Sequence, residues 1–159
     1  EMVLGNLLGQ NPGSAITRVD NPLTPDQVIM VGLIEDQLRD KDMACKTLAL
    51  PIVSPQALKR SSQAVLDWIK AAGIKYIAVH WDLDVLSPDD FRSIYPAEPY
   101  LAAGEFTAAV GEVTLAEAGR LLSDVSAEAE IVGLTLAEHL PWDAINLRRT
   151  LSELSIFDR

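Results

Sequence analysis

Ile77-Ala78-Val79-His80-Trp81-Asp82-Leu83-Asp84-Val85-Leu86-Ser87-Pro88 is the stretch on which the reading of this chain turns. Its first half is rich in strand formers, and it ends in two acids separated by a single residue. Side chains on a strand alternate between its faces, so Asp82 and Asp84 are expected on one face, with His80 two residues behind them. In an α/β sheet the carboxyl ends of the strands open into the crevice where ligands bind, which would put both carboxylates on its floor. That is the geometry of a metal site. The plainer alternative is a solvated strand end, and the rest of the chain has to decide between the two.

Downstream, Leu86 to Gly111 carries Ser87, Pro88, Asp89, Asp90, Pro96, Pro99 and Gly104, the composition of a long irregular loop leaving the acid pair. Thr114-Leu115-Ala116-Glu117 has the spacing of a capping box, followed by Leu115, Ala118, Leu121, Leu122 and Val125 on one helical face. Glu130 to Ala137 is an apolar strand ending at Glu138-His139-Leu140-Pro141, so a third acid sits at a strand terminus. Trp142 to Leu154 reads as a closing helix with Leu147, Leu151 and Leu154 inward.

Upstream, Ser54-Pro55 starts a helix in which Leu58, Val65, Trp68, Ile69 and Ala72 recur until Gly73 stops it. Gln27 to Ile34 suits a strand buried on both faces of a parallel sheet. Glu35 to Lys46 reads as a short helical connection. Thr47 to Val53 reads as a strand cut short or placed at an edge by Pro51. Residues 1–25, with Gly5, Gly9, Pro12, Gly13, Pro22 and Pro25, read as loop with at most a short turn of helix. Strands alternating with helices from residue 27 onward indicate an α/β fold with a largely parallel, doubly wound sheet.

The chain has 159 residues, of which 48% are hydrophobic and 23% charged, enough for one domain with a sizeable core. A formal charge of −10 argues against nucleic acid or an anionic membrane as partner and suits cationic ligands or metal ions. Cys45 is the only cysteine and cannot form an internal disulfide; no signal peptide or membrane span is legible, so a reducing cytoplasm is the simplest compartment. The chain opens at Glu1-Met2-Val3 without an initiator methionine, as a fragment would.

Two carboxylates from one strand can give oxygen ligands to hard divalent ions. A bridging carboxylate can hold two such ions about 3.5 to 4 Å apart and acidify a shared water. Such ions want about six donors each. With His80 and His139 as the only histidines and no Asp-x-His-x-Asp cluster, the sequence cannot complete a two-metal site by itself.

Asp82-Leu83-Asp84-Val85-Leu86-Ser87-Pro88, Val110-Gly111-Glu112-Val113-Thr114 and Gly133-Leu134-Thr135-Leu136-Ala137-Glu138-His139-Leu140-Pro141 resemble, in order and approximate spacing, the three C-terminal motifs of the arginase (ureohydrolase) family. Gly5-Asn6-Leu7-Leu8-Gly9-Gln10 is similar to the Gly-Asn-x-His-Gly segment that precedes them. The resemblance implies a three-layer α/β/α fold, with residues 1–159 forming a single domain equivalent to the C-terminal half to two-thirds of an arginase-like domain. It also implies a hydrolase with a binuclear Mn2+ centre that attacks a small guanidino or amidino substrate and releases urea or an analogue. Asp82 would bridge the ions and Asp84 would bind one, while Glu138 and Thr114 match the residues that meet the substrate. Family members commonly form trimers or hexamers, so a homo-oligomer is expected.

The departures are as informative. Leu8 stands where the family carries a histidine, Ser87 replaces the Asp before Pro88, and Ile34 replaces an arginine. The expected upstream ligands lie outside this chain, so residues 1–159 alone are expected to bind metal weakly and not to turn over. His80 is a candidate third ligand on the acids' face, but the family has a small hydroxyl residue there, and it is read instead as a satisfied buried histidine; His139 and Trp81 are read as facing away from the acids, Trp68 as core and Cys45 as inert. Two other classes compete: a non-catalytic arginase-like subunit, and a haloacid-dehalogenase-type phosphatase with Asp82 as nucleophile. The second normally opens its domain with this motif, whereas here the motif falls mid-chain.

Overall fold

A computed structural model describes residues 2–10, 19–102 and 104–153. Among these residues, five α-helices and four strands follow in the order α1 (Met2–Leu7), β1 (Met30–Val31), β2 (Ile52–Val53), α2 (Pro55–Arg60), α3 (Gln63–Ala71), β3 (Tyr76–Asp82), α4 (Leu115–Glu128), β4 (Glu130–Ala137) and α5 (Trp142–Ser152). Short 3-10 turns fill several of the connections. Both pairings are parallel, β1 with β2 and β3 with β4, each joined through intervening helix as parallel strands require. The α/β class and its parallel pairing therefore stand. Among the described residues the strands form two two-stranded sheets rather than one continuous sheet.

The core lies between β3 and the helices α3 and α4. Leu86, Ile94 and Val113 are wholly buried, and Leu58, Val65, Ile69, Leu83 and Val125 pack with them. Burying each such side chain stabilises the fold by about 2 kcal/mol. On β3, Ile77, Val79 and Trp81 turn inward while Tyr76, Ala78, His80 and Asp82 face out. The strand's period of two is therefore realised, and Trp81 points away from the acids as its register requires. Trp68 packs against the core and donates its indole N–H to the Asp26 carbonyl at 2.8 Å.

Several expected elements are shorter than their apolar runs. Gln27–Ile34 yields only the two residues of β1, because Pro25–Gln27 forms a 3-10 turn and Gly32 adopts a positive φ of 87°. A Cβ at Gly32 would lie 2.2 Å from Val85 Cγ2, so the strand gives way where it meets the acid turn. Thr47 and Leu48 belong to a 3-10 segment, and β2 starts only after Pro51, whose carbonyl accepts the Met30 N–H at 2.9 Å. The expected helix from Ser54 to Gly73 is two helices. Ser61 is extended, with φ −167°, and its hydroxyl accepts the Gln63 N–H at 3.0 Å, a local bond that competes with the helix.

The cap at Ser54, the positive φ at Gly73 and the capping box of α4 are as expected. Helix α5 is not amphipathic in the way its leucines suggest. Leu147 is 60% exposed and Leu151 39%, no residue of the helix is buried, and Leu154 lies outside the described residues. Strand β4 likewise exposes Val132, Leu134 and Leu136. Among the described residues no helix is long and apolar enough to cross a membrane.

Candidate active site

The acid pair is built differently from two alternating strand residues. Strand β3 ends at Asp82, and Leu83–Val85 is a single 3-10 turn. The apolar spacing explains this: Leu83 and Leu86 are both buried, and a separation of three puts them on one side of a 3-10 turn but on opposite faces of a strand. The Asp82 carboxylate caps that turn by accepting the Asp84 N–H at 3.0 Å. The two acids are neighbours through this bond, not through pleat alternation.

The Val110–Thr114 segment lies against the same turn. Val113 donates its N–H to the Val85 carbonyl at 3.2 Å and accepts the Ser87 N–H at 2.8 Å. A Cβ on Gly111 would lie 2.2 Å from the Asp84 carbonyl oxygen, so only glycine permits this approach. Glu112 anchors the segment to α2, accepting from Gln56 Nε2 at 3.1 Å and pairing with Lys59 at 3.3 Å.

Glu138 follows β4 directly and is one of two non-glycine residues with positive φ among those described, at 60°. Such a conformation costs about 1 kcal/mol or more and is held here by its neighbours. Two residues on, the Leu140 N–H bonds the Ser93 carbonyl at 2.8 Å, and the Trp142 indole N–H bonds the Ile94 carbonyl at 2.7 Å. The loop after the acid turn is thereby tied to the segment after β4. Between them lies an open cavity of about 430 Å³ lined by Arg92, Ser93, Trp142 and Asp143 among others.

Electrostatics couples the three acids. The Asp84 carboxyl is pushed up to about 6, first by burial and then by the negative charges of Asp82 and Glu138, while the Tyr95 backbone N–H pulls the other way. Its Oδ1 is buried without a hydrogen-bond partner. A buried carboxylate oxygen that nothing donates to, beside two like charges, is unfavourable by itself and is relieved by a cation. In kind, these donors fit a hard divalent ion. In number they do not complete its shell: among the described residues no group of three or more His, Cys, Asp or Glu side chains is arranged to hold a metal ion.

Thr114 stands apart from that coupling. Its hydroxyl accepts the Glu117 N–H at 3.2 Å, and its own N–H donates to Glu117 Oε2 at 2.8 Å, which holds the Glu117 carboxyl below its ordinary range. The geometry makes Thr114 the N-cap of α4, and the Asp90 carboxylate satisfies the next amide, Leu115, at 2.7 Å. Leu8 closes α1, donating its N–H to the Leu4 carbonyl at 3.0 Å. His139 lies near Phe91, with 6.4 Å between ring centroids. The sequence reading missed Tyr95, whose contribution is a backbone N–H and carries no side-chain signal. It also missed Arg92 and Asp143, which line one cavity from the loop after the acid turn and from the first turn of α5.

A scan against protein-family models and a search of curated proteins each return no match. Solved structures do match. Arginase of Entamoeba histolytica, in complex with L-ornithine, superposes with a TM-score of 0.62 at 14% identity, over 87% of this chain and 44% of that one. A hypothetical agmatinase from Burkholderia thailandensis gives 0.54 at 16% identity, over 77% and 34%. Proclavaminate amidino hydrolase from Streptomyces clavuligerus gives 0.52 at 18%, over 75% and 36%. The chain has the fold of the arginases and amidinohydrolases, and it spans less than half the length of these three structures.

Proposed function

We propose that this chain carries part of the active site of a manganese-dependent amidinohydrolase, with Asp82 and Asp84 as metal ligands and Glu138 as the acid that binds a guanidino or amidino group. The observation that supports it most directly is the coupling of Asp82, Asp84 and Glu138 at the ends of two adjacent parallel strands, on a fold shared with arginases. Residues 1–159 are read as the C-terminal half to two-thirds of the family's domain. The remaining donors would come from the part of the fold that this chain does not span.

Manganese, when bound, would acidify water and polarise the carbon of the amidine. The chain's own residues account for the rest. Asp82 and Asp84 supply anionic oxygen, with Asp82 fixed in place by the amide it accepts. Glu138, held at positive φ, presents a carboxylate whose two oxygens can take the paired N–H groups of a planar cation and orient it. Thr114 contributes by fixing the start of α4, and through Val113 the position of the acid turn. The net charge of −10 favours the approach of both cations.

The binding steps test this without requiring turnover. Titration of the chain with manganese chloride, followed by agmatine or L-arginine, should show weak cation binding that Asp82→Asn and Asp84→Asn each reduce at least tenfold. It should also show guanidino binding that Glu138→Gln abolishes. Unchanged manganese binding in both Asp variants would refute the site. A non-catalytic arginase-like role is the second reading, favoured by Leu8; release of no urea by a longer form carrying the remaining ligands would establish it.

A further inference from the structure

The cavity between the loop after the acid turn and the start of α5 carries two charges that the fold itself leaves unpaired. Its volume of about 430 Å³ falls within the range of about 300–1,000 Å³ that small-molecule sites occupy. Pro99 and Pro141 give it short, stiff walls. The Trp142 indole is fixed in place, its N–H donated to the Ile94 carbonyl at 2.7 Å and its ring centroid 6.3 Å from that of Tyr95. The bond from the Leu140 N–H to the Ser93 carbonyl at 2.8 Å ties both sides of the opening to one frame. A cavity held in this way is formed before a ligand arrives, which lowers the cost of binding.

Arg92 and Asp143 both line this cavity and both are exposed. Among the described residues neither is hydrogen-bonded or ion-paired, so their charged atoms lie more than 4.0 Å apart instead of closing on each other. One cation and one anion on a shared opening sort ligands by charge. A dianion is opposed by Asp143 and a diamine by Arg92, whereas a molecule with a carboxylate and an ammonium a few bonds apart gives each a partner. The guanidinium takes a carboxylate through two parallel N–H donors. The Ser93 hydroxyl adds a group that donates or accepts, and the indole with the two prolines suits an apolar side chain.

We propose that this cavity is a binding site for a free α-amino acid with an apolar side chain, its carboxylate on Arg92, its ammonium on Asp143 and its side chain against Trp142. The site needs neither manganese nor Glu138, so it stands or falls separately from the amidinohydrolase reading.

Three ligands of one shape test it: L-leucine, L-leucinamide without the carboxylate, and N-acetyl-L-leucine without the ammonium. The chain has three tryptophans, and Trp142→Phe assigns the Trp142 indole N–H signal in a nitrogen–proton spectrum. L-leucine should shift that signal with a dissociation constant on the order of 1 mM, as two exposed charge contacts allow. Each of the other two ligands should bind about fivefold more weakly, the upper end for an exposed charge pair. Arg92→Ala should bring L-leucine down to the level of its amide and leave the amide unchanged. Asp143→Asn should bring L-leucine down to the level of the N-acetyl compound and leave that compound no weaker. The Trp68 and Trp81 signals report that each variant is folded.

A Trp142 signal unmoved by L-leucine at about 20 mM would overturn the site. Equal binding of L-leucine and its amide by the wild type would overturn the carboxylate contact, and with it the proposal. A folded Arg92→Ala or Asp143→Asn chain that weakens all three ligands alike would do the same, since it would show a general loss of the cavity and no reading of charge.

Discussion

Asp82 accepts the backbone N–H of Asp84 at 3.0 Å, so the first acid of the pair caps the turn that carries the second. Two like charges are thereby held together by a hydrogen bond to one and burial of the other. Without a cation, the Asp84 carboxyl bears the cost.

That cost fixes a pH dependence. With its folded-state value raised from 3.8 to about 6, Asp84 binds more protons in the folded chain than in the unfolded one across that window. Its contribution to stability is therefore fully present below the unfolded value and is lost as pH rises through about 6. The displacement corresponds to about 3 kcal/mol, and solvent screening at this half-buried carboxyl cuts it to about 1 kcal/mol. Urea unfolding of the metal-free chain should show Asp84→Asn gaining about that much over wild type at pH 7 and much less at pH 4. A constant difference at both pH values would contradict this account.

Gly111→Ala is expected to be among the most damaging small substitutions. The new Cβ would meet three backbone atoms, Asp84 O at 2.2 Å, Val85 C at 2.4 Å and Leu86 O at 2.5 Å, and backbone in a paired segment cannot yield as a flexible side chain can. A loss of about 2–4 kcal/mol is expected, read from the unfolding midpoint, with weaker manganese binding because the acid turn is displaced. Gly119→Ala serves as a control, since nothing lies within 4 Å of its Cβ position.

Thr114 separates a capping role from a substrate role. Thr114→Ala should cost about 1 kcal/mol by removing the α4 cap, and Thr114→Ser should restore most of it. If both variants bind agmatine as wild type does once stability is matched, the hydroxyl belongs to the helix alone. The Thr114 backbone N–H, the main group holding the Glu117 carboxyl low, is kept in Thr114→Ala, so the Thr114→Ala loss should change little with pH.

Strand β4 presents Val132, Leu134 and Leu136 at 58%, 52% and 60% exposure, on a two-stranded parallel sheet. Parallel strands normally have both faces covered, and an apolar edge left open invites association. The isolated chain should self-associate at micromolar concentration by light scattering. Leu134→Lys with Leu136→Thr should reduce that association while changing the unfolding free energy by less than about 0.5 kcal/mol, the usual range for exposed positions.

The sequence by itself determined the parts governed by local chemistry. Capping residues announced the starts of α2 and α4, because Ser54 and Thr114 can satisfy amides only a few residues away. The order of β3 and β4 and the bounds of β4 followed from apolar runs ending in acids, and the arginase-like fold followed from four motifs in register. Tertiary structure decided what depends on distant neighbours. The strand stops at Asp82 because Leu83 and Leu86 must enter one core. Leu147 and Leu151 stay exposed because nothing among the described residues covers α5, although their spacing looks like a buried face. Glu138 comes within reach of Asp84 only because β3 and β4 pair in parallel and bring their carboxyl ends together. Periodicity shows which residues a segment would bury, and packing alone determines whether a partner is there to bury them.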